Sequence, residues 1–305
     1  MPLPDGNRTF IGDGGLETVM IFREGLDLPE FASFTLLSEE RGRAALRRYY
    51  EGFIELAAAH GAGFTLDTPT WRASENWGEK LGLSAAAIGE ANREAVAFAA
   101  EVRAAATGET PIAICGALGP EGDAYHPERF LTAEEAEDYH AAQVAVFAAE
   151  GVDMVSAYTL SYTEEAIGMV RAAAAAGLPV SLSFTVETDG RLPTGEPLAE
   201  AVERLDAATD SAALYLMINC AHPTHYAAEL QAGGAWTERI GGIRANASQM
   251  SHAELDESEQ LDDGDPERLG LEYEALEPLL PDLRVLGGCC GTDQRHVASI
   301  CERCL

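Results

Sequence analysis

The chain has one lysine, Lys80, and only 20 basic residues against 51 acidic ones, for a formal charge of −31. Its arginines are scattered, so no basic stripe exists to follow a phosphate backbone, and nonspecific nucleic-acid binding is excluded. No apolar run reaches the roughly 18 residues a membrane span requires. Residues Met1 to Phe10 carry Pro, Asp, Gly and Asn where a secretory signal would need an apolar core. Proline (14) and glycine (30) are too few in 305 residues for a fibrous or low-complexity chain, and 47% hydrophobic content is too high for a disordered one. These absences read as a cytoplasmic globular protein. In that compartment six cysteines are metal ligands, catalytic thiols or core fillers rather than a disulfide framework.

What remains is a regular alternation. Short apolar runs occur at Thr9–Gly12, Gly63–Asp67, Ile112–Gly116, Val152–Ala157, Pro179–Phe184, Ala213–Asn219, Ile240–Ala245 and Arg284–Gly288. Most are rich in Val, Ile, Leu or Phe and bounded by Gly, Pro or Asp, which predicts strands. Helical periodicity fills the gaps, as in Arg41–His60 and Glu196–Thr209. Thr132-x-x-Glu135 and Ser161-x-x-Glu164 have the chemistry of capping boxes. Eight strand–helix units close naturally as a (β/α)8 TIM barrel, and with no linker-like stretch the chain reads as a single domain over residues 1–305. Asn246 to Pro266, with an acidic run, reads as a long loop after the seventh strand.

Active-site groups of such a barrel sit at the C-terminal ends of strands. Cys220 ends the sixth strand and the pair Cys289-Cys290 ends the eighth, beside Gly287, Gly288 and Gly291. Neighbouring residues of a regular strand point to opposite faces, but a glycine-rich bend lets both thiols turn inward. Three thiolates suit Zn2+ and leave a fourth coordination position for a substrate. The alternative is that all three are buried fillers. Cys220-x-His222-x-x-His225 reads as a helix start rather than a second metal cluster. Cys301 and Cys304 would have to fold back over the rim to join a four-cysteine site. Trp71, Trp77 and Tyr158 are candidates to line a cavity for an onium group, with core packing as the alternative.

Gly12-Asp13-Gly14-Gly15-Leu16-Glu17-Thr18, Asn219-Cys220 and Gly287-Gly288-Cys289-Cys290-Gly291-Thr292 together resemble the homocysteine S-methyltransferase family. The resemblance runs over nearly the whole chain, with Gly116–Pro120 and Gly177–Thr185 in the matching order. It implies that Cys220, Cys289 and Cys290 are zinc thiolates. It implies also that Asp13, with the N–H groups of Gly14 and Gly15, holds the amino acid's ammonium and carboxylate, and that Asn246 positions substrate or ligand. The chain departs from the family at three places. Tyr158 stands where the family has a glutamate for the ammonium; Thr68-Pro69-Thr70 replaces Thr-Asn-Thr; Asn246-Ala247-Ser248 replaces Asn-Ser-Gly. Asp67 is the carboxylate placed to substitute for the missing glutamate.

The resemblance therefore implies zinc-dependent methyl transfer from a small onium donor to the thiol of homocysteine, giving methionine. A different thiol acceptor, or a non-catalytic zinc or thiol-switch barrel, is the alternative. The partners expected are a small thiol and a small methyl donor, with neither nucleic acid nor membrane.

Overall fold

Eight parallel strands close a barrel in chain order, β1 pairing with β8, in the computed structural model, which describes every residue except Met1, Pro2, Asp5, Asn7 and Glu259. The strands are β1 (Phe10–Ile11), β2 (Gly63–Asp67), β3 (Ile112–Leu118), β4 (Met154–Leu160), β5 (Val180–Phe184), β6 (Tyr215–Asn219), β7 (Ile240–Ala245) and β8 (Val285–Gly288). The helices between them begin with α1 (Leu16–Phe22), α2 (Glu40–Ala59), α3 (Glu75–Lys80), α4 (Ala85–Ala105), α5 (Ala133–Glu150) and α6 (Thr163–Ala175). They continue with α7 (Leu198–Thr209), α8 (Pro223–Ala232), α9 (His252–Asp256), α10 (Pro266–Leu276) and α11 (Gln294–Cys304). The expected (β/α)8 barrel is the fold, and all eight expected strands are present.

The strands are buried almost throughout, and mostly apolar, because both of their faces are covered. One large apolar layer lies between the sheet and the surrounding helices. A smaller cluster, with Phe10, Met154, Tyr215 and Met217, fills the barrel interior. The interior is packed below and functional above, as in barrels generally. None of the described helices is long and apolar enough to cross a membrane.

Two local expectations fail. The Ser161-x-x-Glu164 box does not form: α6 starts one turn position later, with Tyr162 at its N-cap and no side-chain cap bond, and the Ser161 hydroxyl is buried without a partner. The Thr132–Glu135 box does form. The segment after β7 is more than a loop. It carries α9, started by a Ser251–Glu254 capping box, and this short helix brings His252 over the barrel rim.

Asp293 starts α11, its carboxylate accepting from the Arg295 N–H and pairing with the Arg295 guanidinium and His296. Burial pushes its carboxyl up, but the bonds from His296 and Arg295 outweigh that and hold it below the usual carboxylate range. A depressed folded pKa gives stability that is present above the unfolded value near pH 4 and lost as pH falls below it. Asp293→Ala should therefore cost about 1–2 kcal/mol at pH 7, and clearly less near pH 3, in urea unfolding.

Candidate active site

The C-terminal rim opens into a cavity of about 540 Å³. Cys220 follows β6 directly, at a φ of +52° in the left-handed region. Cys289 and Cys290 follow β8. The Cys289 N–H still bonds the Ala245 carbonyl of β7 (2.8 Å), and Gly291, at φ +79°, turns the chain immediately after the pair. The bend brings both successive cysteines to one side, and the three sulfurs lie within 4.8 Å of one another. Among the described residues this is the one group of three or more Cys, His, Asp or Glu placed to share an ion.

Within the cluster Cys220 and Cys289 are joined by a disulfide, their Cα atoms 5.4 Å apart, and the Cys290 sulfur stands 3.8 Å from that of Cys220. Three thiolates were expected, so the structure differs. Sulfurs converging this closely are within bonding range when oxidised, and the three-thiolate cluster is the reduced form of the same arrangement. The donor set suits zinc: tetrahedral bonds of about 2.3 Å place sulfurs roughly 3.8 Å apart.

Hydrogen bonds from several elements fix the cluster. The Cys220 carbonyl accepts from Asn246 Nδ2 (3.0 Å) and His252 Nε2 (2.6 Å). The His252 ring lies 4.0 Å from that of Tyr125, and its Nδ1 is 3.2 Å from the Glu187 carboxylate. Asn219 accepts from the Thr159 N–H (2.9 Å), and its Nδ2 donates to Thr159 Oγ1 and approaches the Cys289 sulfur at 3.8 Å. Thr159 itself has φ +65°, at a register shift between β4 and β5. Asn246 Oδ1 is buried without a partner.

The floor of the cavity holds a group that sequence reasoning did not single out. Arg244, on β7, is buried and ion-pairs with both Asp13 and Asp67. Its Nη1 is also 2.9 Å from the Tyr158 hydroxyl, and its Nε donates to the Gly288 carbonyl (3.2 Å), one residue ahead of Cys289. The Tyr158 hydroxyl donates to Asp67 Oδ2 (2.8 Å), and the guanidinium sits 4.9 Å over the Tyr158 ring. Gly12 makes room for it, since a Cβ there would lie 3.3 Å from the guanidinium carbon. Burial lowers Arg244 to about 10, leaving it charged at neutral pH, and burial raises the Asp67 carboxyl against the lowering bond from Tyr158. Tyr158→Phe removes that bond and should cost about 1–2 kcal/mol in urea unfolding, with full retention of the fold.

The other expected residues fall as follows. Gly14 and Gly15 line the cavity, but the Gly15 N–H donates to the Thr292 carbonyl (3.0 Å) instead of facing a ligand. Glycine is required at position 15 because a Cβ would lie 2.5 Å from the Cys289 carbonyl oxygen. Trp71 and Tyr158 line the cavity; Trp77 lies behind, and the Arg72 guanidinium rests 3.8 Å from its ring and 4.9 Å from that of Trp71. These aromatics thus already hold three of the chain's own cations, Arg72, Lys80 and Arg244. Glu17, half-buried in the wall, accepts from Ser33 Oγ (2.8 Å), and burial raises its carboxyl. His222 caps α8 and lies 3.0 Å from Glu272, apart from the cysteines, with burial lowering it to about 4. Cys301 and Cys304 stay on α11, Cys301 buried, and do not join the cluster.

The chain resembles two solved structures of the homocysteine methyltransferase MmuM from Escherichia coli. The oxidized form is 20% identical, with a TM-score of 0.77, over 99% of this chain and 98% of that one. The metallated form is 19% identical, with a TM-score of 0.73, over 97% of each. At that identity the likeness speaks for the fold. None of the curated proteins matches the chain. The model of the homocysteine S-methyltransferase family matches residues 10–304, from the first strand to the last helix. Because that match spans nearly the whole chain, the chain belongs to the homocysteine S-methyltransferase family and is an S-methyltransferase.

Proposed function

We propose that this chain transfers a methyl group from a small onium donor to the thiol of homocysteine, giving methionine, with zinc as its resident metal. One observation carries the reading: three cysteine sulfurs within 4.8 Å of one another open onto the rim cavity of a family member. Cys220, Cys289 and Cys290 would hold the ion. When bound, zinc supplies a Lewis acid that keeps the acceptor sulfur in its nucleophilic thiolate form.

The protein's own contribution is placement. Asn246 and His252 fix the Cys220 carbonyl and Asn219 fixes Cys289, so the cluster keeps its shape while substrates enter. The acceptor sulfur attacks the methyl carbon in line; the new carbon–sulfur bond forms as the carbon–onium bond breaks, and the leaving heteroatom keeps the electron pair. The donor's positive charge disappears in that step, so surroundings less polar than bulk water favour it. Holding both reactants in attack geometry is worth on the order of 7–11 kcal/mol. The reaction needs no general base of shifted pKa. A cytoplasmic setting belongs to the same reading, because the cluster must be reduced to bind metal.

The test is mass-spectrometric detection of methionine from homocysteine, with reduced, zinc-supplied protein, across S-methylmethionine, S-adenosylmethionine, betaine and dimethylsulfoniopropionate. Methionine formed with at least one donor supports the proposal. No methylated thiol with any donor, from folded protein carrying zinc, rejects it.

A further inference from the structure

An ammonium group entering a buried site needs a carboxylate to receive it. At the cavity floor two are present, Asp13 from the turn after β1 and Asp67 at the end of β2, and both are already engaged by Arg244. The engagement is built in. The guanidinium reaches both acids, the Tyr158 hydroxyl and the Gly288 carbonyl at once, Gly12 leaves the space it fills, and Gly287 packs against its stem. An incoming ammonium would have to displace a buried guanidinium that has no other carboxylate to turn to among the described residues.

The cavity's second arginine is placed the opposite way. Arg72 is stacked over Trp77, donates to the Glu30 carbonyl, and lines the cavity with no carboxylate within ion-pair distance among the described residues; its Nε is buried and unpartnered. Asp123, Glu17 and Glu30 stand around Arg72 beyond ion-pair distance, so the site offers a cation without an ion-pair partner and withholds its floor acids.

Resting on the methyl-transfer reading above, we propose that Arg244 is the resident cation of the acceptor site and determines specificity. The acceptor is then recognised as an anionic thiol, through its sulfur and a carboxylate drawn to Arg72, without an ammonium contact at Asp13 or Asp67. Homocysteine is accepted in spite of its amino group, and a mercapto-carboxylate lacking that group serves as well.

The experiment needs no turnover. Calorimetric titration of the wild-type protein compares methionine with 4-(methylthio)butanoate, two ligands that differ only in the ammonium. Affinities within about tenfold of each other are expected, and methionine tighter by more than about tenfold overturns the proposal, whichever acid receives it, Glu17 included. Absence of saturable binding by both overturns it as well. In Arg244→Met the two acids are released, and methionine should gain more than about tenfold over 4-(methylthio)butanoate; no such gain in folded variant overturns the assignment of Arg244. Should that variant not fold, the wild-type pair decides together with Arg72→Gln. That second variant should weaken both ligands alike by about tenfold, and unchanged affinity removes the carboxylate contact and the proposal with it. Equal binding of the two ligands by a protein that methylates no thiol would instead condemn the methyl-transfer reading and leave the cavity's charge pattern intact.

Discussion

Cys290→Ser is expected to abolish methyl transfer, by about 10³-fold or more, and to remove tight zinc binding while leaving the fold intact. Cys290 is the informative position because Cys220 and Cys289 are bonded to each other in this structure and Cys290 is not. In oxidised protein, wild type and variant keep the same disulfide and should unfold at the same urea concentration. After reduction they should diverge. Wild type should retain about one zinc per chain, whereas the variant retains two thiolates and a hydroxyl that does not ionise at neutral pH. Zinc release to a chromogenic chelator measures this without any assay of turnover. A reduced Cys290→Ser that holds zinc as wild type does, and methylates as fast, would falsify the three-sulfur site.

The rim cysteines were legible because their signal is local. A run of Gly-Gly-Cys-Cys-Gly-Thr announces its bend, and the strand before it announces its end of the barrel. The strands were legible for a similar reason, each being a short apolar run buried on both faces. Where their limits were misjudged, packing overrode local chemistry. The third strand was expected to stop at Gly116 and continues to Leu118, because Gly116 is there for space: a Cβ would lie 2.5 Å from the Phe147 ring of α5. The fourth continues past Ala157 to Leu160 through a register shift that turns Tyr158 toward Asp67 and Arg244.

Arg244 was hidden for the complementary reason. In sequence it is one charged residue in an apolar strand, and its partners Asp13 and Asp67 are 231 and 177 residues away. Only closure of the barrel brings β1, β2, β4 and β7 to one floor. Its position carried a usable signal nonetheless: in a barrel whose strands are covered on both faces, a lone charge near a strand's C-terminal end has nowhere to go but the site. His252 was missed differently: it sits just ahead of an acidic run that reads as loop, although Ser251-x-x-Glu254 carries the same capping-box signature as Thr132-x-x-Glu135 and starts a short helix there.

Arg244→Met is expected to destabilise the protein by about 3–5 kcal/mol at pH 8, because removing the guanidinium leaves two buried carboxylates without a partner. Methionine replaces the stem but not the charge, so the loss reports electrostatics more than packing. The pH dependence distinguishes the two. Without Arg244, Asp13 and Asp67 in the folded state have pKa values above the unfolded carboxylate value near 4, since burial disfavours their charged forms. Burial already pushes the Asp67 carboxyl up in the wild-type protein. A carboxyl raised in this way destabilises the fold when ionised, and the penalty is relieved as pH falls through the folded pKa toward the unfolded one. The deficit relative to wild type should therefore be greatest at pH 8 and shrink at pH 5, where the freed acids hold protons. Urea unfolding at the two pH values measures it. A deficit of equal size at both would mean that Arg244 acts by filling space at the cavity floor, and that Asp13 and Asp67 do not depend on its charge.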